Sequence, residues 1–267
     1  MSSQIPIPVP SLGMTFGVFH ICATISAILF GITYTQIVKY YKKYPNDWRV
    51  FRYSVAILWI LDAFHVVLST HMIYHYLIDL FGDYGGLYHI VWSFRLQLPT
   101  AMAIVIGVQG IYTIRIWKLG RHFHRILSWI VVLTFIVAVG NGIFSVYAVY
   151  SVSDFKALSV VERSVWVIHS IPPFSDFIIA LSMCYYLHKS RQACGPSNRA
   201  PDKLLCIMRL GVISGLATSI CSLLILITYL AWPNTLIFFG IDLILPKLYI
   251  NSLLAILNSR KARKNDT

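Results

Sequence analysis

The chain has 267 residues, of which 57% are hydrophobic and only 12% charged, with a formal net charge of +12. Soluble domains carry about a quarter charged residues, and a soluble fold of this length cannot hide so much apolar surface. The basic excess does not indicate nucleic acid, because the cations sit in short clusters between apolar runs. In hydrocarbon every backbone polar group must be satisfied internally, which leaves helices or closed barrels. The apolar runs are long and continuous rather than alternating with a period of two, so an all-α polytopic membrane protein is expected.

Residues 1–12 have no basic n-region, which argues against a cleaved signal peptide. They are expected to form a short extracellular N-terminus ahead of an uncleaved first helix. A spanning helix needs roughly 20 mostly apolar residues. Seven segments qualify: 13–40, 52–77, 87–116, 126–150, 164–188, 204–230 and 235–257. Residues 13–257 are therefore expected to form one seven-helix transmembrane domain, followed by a basic cytosolic tail at 258–267. The links are short and turn-like: Pro45-Asn46-Asp47, the stretch from Gly82 to Gly86, and Trp232-Pro233-Asn234. The last of these is what divides a charge-free run from Leu210 to Ile241 into two spans.

Direction follows from the cations. Loop 1–2 carries Lys39, Lys42, Lys43, Arg49 and Arg52, and loop 3–4 carries Arg115, Lys118, Arg121 and Arg125. Loop 5–6 carries Lys189, Arg191, Arg199 and Lys203, and the tail carries Arg260, Lys261, Arg263 and Lys264. The opposite side has only Lys156 and Arg163. Basic residues stay cytosolic, so the N-terminus is expected outside and the C-terminus in the cytosol. Trp48, Trp117, Trp129, Trp166 and Trp232 fall near the expected interfaces. No cysteine lies in an expected outer loop, so no structural disulfide is expected. Gly13-x-x-x-Gly17 and Gly211-x-x-x-Gly215 have the spacing that lets helices approach closely, although chance produces it as readily.

Chemistry concentrates where charge is expensive. An ionised group near the bilayer centre costs about 3 kcal/mol or more and normally faces protein or water with a partner. Asp62, Arg95, Asp176, Asp242 and Lys247 all fall inside expected spans. At 100° per residue, Asp62, His65, Ser69 and Tyr76 form one stripe on the second helix. Arg95, Pro99 and Gln109 share a face of the third, and His169, Pro173 and Asp176 one of the fifth. On the seventh, Lys247, Asn251 and Asn258 share one face, and Asp242 and Tyr249 another. Asp242 lies about 140° round the helix from Lys247, so the carboxylate expected to meet Lys247 is Asp62 or Asp176. Pro99, Pro172, Pro173 and Pro246 free the carbonyls of Arg95, Ile168, His169 and Asp242, and broken helix at membrane depth is tolerated where it lines a cavity. The same prolines are also ordinary kinks. His71-x-x-x-His75 has metal-ligand spacing, but histidines hydrogen-bonded across helices are the commoner case, and no metal or cofactor is implied.

Several stretches resemble a large family. They are Trp59-x-x-Asp62-x-x-His65, Ser182-x-Cys184-Tyr185-x-Leu187-His188-x-Ser190-Arg191, Pro233-Asn234-Thr235 and, most specifically, Lys247-Leu248-Tyr249-x-Asn251-Ser252-x-Leu254-x-x-Leu257-Asn258-x-Arg260. The chain resembles, over nearly its whole length, seven-helix membrane proteins of unknown function from mushroom-forming (basidiomycete) fungi. The resemblance implies a fungal source and supplies no activity. Other seven-helix classes fit less well. Pro246-x-x-Tyr249 is faintly similar to the helix 7 motif of G-protein-coupled receptors, but Leu245 stands where Asn is expected. Microbial rhodopsins place Asp four residues before the retinal lysine, whereas Asp242 and Lys247 are five apart. The zinc hydrolases of the ceramidase and adiponectin-receptor type bring histidines from helix 7, which here has none.

The expectation is a receptor-like protein, in the plasma membrane or endoplasmic reticulum, that binds a small, mainly apolar ligand in an outward-facing intramembrane pocket. Its polar groups would be Asp62, His65, Arg95, His169, Asp176, Asp242 and Lys247. The basic loops would face cytosolic protein partners or anionic lipid. The alternative is an intramembrane, terpene-cyclase-like enzyme in which Asp62, with Asp242, initiates the reaction as an acid. A proton-coupled transporter ranks third.

Overall fold

The computed structural model describes residues 17–82, 89–120, 125–151, 162–193, 200–232 and 237–259; of 119, 125, 162–169, 187, 190–193 and 200–214 it describes the backbone alone. Among the described residues the chain is all-α. Its helices are α1 (Val18–Lys43), α2 (Arg49–Tyr74), α3 (Trp92–Gly120), α4 (Arg125–Tyr150), α5 (Glu162–Ala193), α6 (Ala200–Ala231) and α7 (Ile237–Asn258). A π-helical turn, His75–Asp79, prolongs α2, and Gly82 follows at φ +87°, a conformation that favours glycine.

Among the described residues, five helical segments are long and apolar enough to cross a membrane: Val18–Lys43, Arg49–Asp79, Trp92–Lys118, Ile126–Tyr150 and Ile237–Asn258. Within α6 the stretch Gly215–Ala231 is apolar but shorter. Both α5 and α6 have 32 residues, about 48 Å at 1.5 Å per residue. The expected boundaries shift by a few residues. α3 begins at Trp92 rather than 87, and α6 begins at Ala200 rather than 204. In α6, Pro201 occupies the first turn, where its missing N–H costs nothing.

The helices form a ring in chain order, closed by α1 against α7, with α3 also reaching α5 and α7. Side-chain patterns explain the arrangement. On α1, Ile21, Ile25, Ile28 and Ile32 are exposed, while Cys22, Ser26, Thr33, Ile37 and Tyr40 are buried. On α4, Leu133, Ile136, Ile143 and Tyr147 make an exposed apolar stripe. Such continuous apolar surface is stable only against lipid or another protein. No described residue of α7 is exposed, so the polar groups of that helix face other parts of the bundle.

Apart from Arg95 and Lys247, the described lysines and arginines gather at one end of the ring, near the C-terminal ends of α1, α3, α5 and α7. Lys43 donates to the carbonyl of Asn258 at 2.8 Å, and Lys118 lies 3.3 Å from the centre of the Trp48 ring. Lys42, Lys43 and Lys118 occupy the last turns of α1 and α3. The opposite end is carried by the starts of α1, α3 and α7 and by the ends of α2, α4 and α6. The N-terminal segment, the basic tail, Pro233-Asn234-Thr235, Lys156 and Arg121 lie outside the described residues.

Candidate functional site

The seven residues singled out from sequence do not share one chamber. Three separate polar centres hold most of them, and all three involve α7.

The first centre is an ion pair. The Lys247 ammonium donates to the Asp62 carboxylate and also, at 2.9 Å, to the Asp62 backbone carbonyl. Both side chains are 0% exposed. The pairing answers the demand that a buried ammonium makes, and it selects Asp62 over Asp176. Asp62 is presented by an inward stripe of α2 comprising Val55, Leu58, Asp62, His65, Ser69, Met72 and Tyr76. His65, one turn along, is 1% exposed and its Nδ1 has no hydrogen-bond partner. The Phe30 ring of α1 lies 5.5 Å from the Lys247 ammonium, within cation–π range.

A polar ladder continues from this pair along the α1–α7 seam. Ser26 donates to the Leu243 carbonyl (3.2 Å), and Asn251 donates to the carbonyls of Leu29 (3.1 Å) and Lys247 (3.0 Å). Gln36 donates to Asn251 (3.2 Å), Asn258 donates to the Gln36 carbonyl (2.9 Å), and Tyr44 donates to the Asn258 carbonyl (3.2 Å). The Lys247–Asn251–Asn258 face of α7 is therefore the seam with α1, a helix that sequence reasoning left out of the site.

The second centre is Asp176 of α5. It accepts from Gln109 Nε2 of α3 at 3.0 Å and from the Tyr249 hydroxyl of α7. A crevice of about 360 Å³ opens beside it, lined also by Ala180, Met183, Gly215, Thr218 and Ser252. Gly215 is essential to its shape: a Cβ there would stand 2.8 Å from the Ala180 Cβ. The Gly211-x-x-x-Gly215 spacing thus marks the close approach of α6 to α5, at its second glycine. The Tyr249 contact was missed because a tyrosine in an apolar run carries no signal of its own.

The third centre is Asp242 of α7. It lines a pocket of about 310 Å³ at the end of the ring away from the cations. Five helices contribute: Phe19 of α1, Met72 of α2, Phe94, Gln97 and Leu98 of α3, Val149 of α4, and Phe239 and Leu243 of α7. The Phe94 and Phe239 rings meet edge to face at 4.9 Å. Gln97 is 6% exposed; its Nε2 donates to Ser69 at 2.8 Å, and its Oε1 has no partner. Among the described residues Asp242 has neither an ion pair nor a hydrogen-bonded side-chain partner. The pocket is thus apolar and aromatic, with acceptor oxygens on Asp242 and Gln97 that have no partner.

Arg95, one turn before the pocket's Leu98, is half-buried and its Nε lacks a hydrogen-bond partner. The side chain of His169 lies outside the described residues. The outer histidines are engaged separately, His71 with Ser93 (3.0 Å) and His75 with Asp79 (3.1 Å). Among the described residues no three His, Cys, Asp or Glu side chains gather closely enough to hold a metal.

Residues 173–262 match a family of unknown function (DUF6534). The match spans most of α5, all of α6 and all of α7, and so includes Asp176, Asp242, Lys247 and Tyr249 but not Asp62. No curated protein and no solved structure matches the chain. Together the apolar helices and this match define a membrane protein whose chemistry must be read from its own residues.

Proposed function

We propose that the chain spans the membrane seven times, N-terminus outside, and acts as a receptor-like protein for a small, mainly apolar ligand. The observation that carries this reading is the Asp242 pocket: five helices converge on an apolar cavity that holds a carboxylate without a partner. A carboxylate in an apolar surround is costly unless something completes it. Concave, mostly apolar pockets with a few convergent polar groups are the usual form of small-molecule sites. The excess of cations at the opposite end supports an outer position for the pocket, by the positive-inside rule.

The other two centres then serve to transmit rather than to bind. α7 carries Asp242 at the pocket, Lys247 at the ion pair, Tyr249 at Asp176 and Asn258 at the basic end. A ligand that displaces α7 at Asp242 acts on every one of these contacts. The basic end, with Lys43, Arg52 and Lys118, is the face that would meet a cytosolic protein or anionic lipid. The Lys247–Asp62 ion pair favours this reading over a cyclase in which Asp62 is the initiating acid.

Native mass spectrometry of the full chain, extracted in mild detergent, tests the reading. A small apolar compound should be retained by the wild type and lost from Leu98→Trp, which fills the pocket. A wild type that retains nothing, or a compound retained equally by the filled variant, would overturn it.

A further inference from the structure

We infer that the Asp242 pocket takes a protonated amine on an apolar body. The inference rests on the receptor reading and names the head group of its ligand. The side-chain oxygens of this pocket that lack a partner are acceptors: the Asp242 carboxylate, and Gln97 Oε1, whose Nε2 gives one of its two hydrogens to Ser69. Pro246 has no N–H to give the Asp242 carbonyl, so a further acceptor is left at the same residue. A guest must therefore bring donors. A hydroxyl supplies one, whereas an ammonium supplies three together with the charge that the carboxylate lacks.

The walls select the same chemistry. Phe19, Phe94 and Phe239 line the same pocket as Asp242, and aromatic faces attract cations. A carboxylate or phosphate head group would meet Asp242 as a like charge in an apolar surround and is excluded. The remaining lining, Met72, Leu98, Val149 and Leu243, accommodates a hydrocarbon or aryl body. Lys247, the cation on the same helix, is turned to Asp62 and is no competitor for Asp242.

The test uses the full chain in nanodiscs of zwitterionic phosphatidylcholine, with three probes that share one body: phenylbutylamine, phenylbutanol and phenylbutyrate. Binding is measured against protein-free discs of the same lipid, which subtracts partition into lipid. The wild type should bind the amine saturably and roughly ten- to a hundredfold tighter than the alcohol, the size of one charge-assisted hydrogen bond. The acid should bind weakest. Asp242→Asn should bring the amine to the alcohol's affinity. Phe239→Ala should weaken amine and alcohol together, and Gln97→Leu should weaken the amine. Alcohol or acid binding as tightly as the amine, or an amine preference that survives Asp242→Asn, overturns the inference and leaves the receptor reading standing. The absence of saturable binding by any of the three overturns both.

Discussion

Replacing Lys247 by Met keeps the length and apolar stem of the side chain and removes only the ammonium. The Asp62 carboxylate would then be wholly buried with its cation gone and Oδ2 already unpartnered. Breaking a buried pair from one side destabilises by about 3–5 kcal/mol, because the remaining charge is uncompensated. Asp62→Asn, which keeps the shape of the carboxylate, strands the ammonium in the same way. The double variant leaves no buried charge, and its loss should be closer to that of an imperfectly satisfied amide, about 1–3 kcal/mol. It should therefore be more stable than either single variant, with a coupling of about 2 kcal/mol or more. Equilibrium unfolding of the four proteins in mixed micelles measures this directly. Additivity within about 0.5 kcal/mol would refute the argument, since independent sites add to that precision.

Three further outcomes follow from the same geometry. Tyr249→Phe removes the hydroxyl that Asp176 accepts from, leaving Gln109, and should lower stability by about 1–3 kcal/mol in the same unfolding assay. Gly215→Val places side-chain atoms against the Ala180 Cβ and should cost about 1–3 kcal/mol by overpacking, whereas Gly140→Ala, open on all sides, should leave the midpoint unchanged or raise it. Cysteine labelling in intact cells should modify a cysteine placed at Phe81 with a membrane-impermeant reagent and spare one placed at Asn46; the reverse pattern would invert the topology.

How much of this was legible in the sequence depends on what each residue is. The all-α class was readable because apolar runs of this length have few alternatives. The inward face of α2 was readable because Asp62, His65 and Ser69 are conspicuous in an apolar run and fall at helical spacing. That Lys247 needs a carboxylate was legible from the cost of a buried ammonium, but the choice between Asp62 and Asp176 was not, since it depends on how α7 is rotated against α2 and α5. The α1–α7 ladder was hidden for another reason. Ser26, Gln36 and Tyr44 are unremarkable in sequence, and their partners include backbone carbonyls, which carry no residue signature. The expectation of one shared polar interior does not describe the three centres, because residues on different faces of α7 look toward different neighbours. Asp242, about 140° from Lys247, lines a pocket with residues of α1 to α4, while Lys247 pairs with Asp62 of α2 beside Phe30 of α1.

The central claim is that the Asp242 pocket holds a ligand. The most direct measurement is an experimental structure of the protein purified from its own membranes with a gently exchanged detergent. The account predicts density for a compact guest among Phe19, Phe94 and Phe239, with a polar head against the Asp242 carboxylate. A pocket filled by its own side chains, or an Asp242 side chain turned outward to lipid, would contradict it.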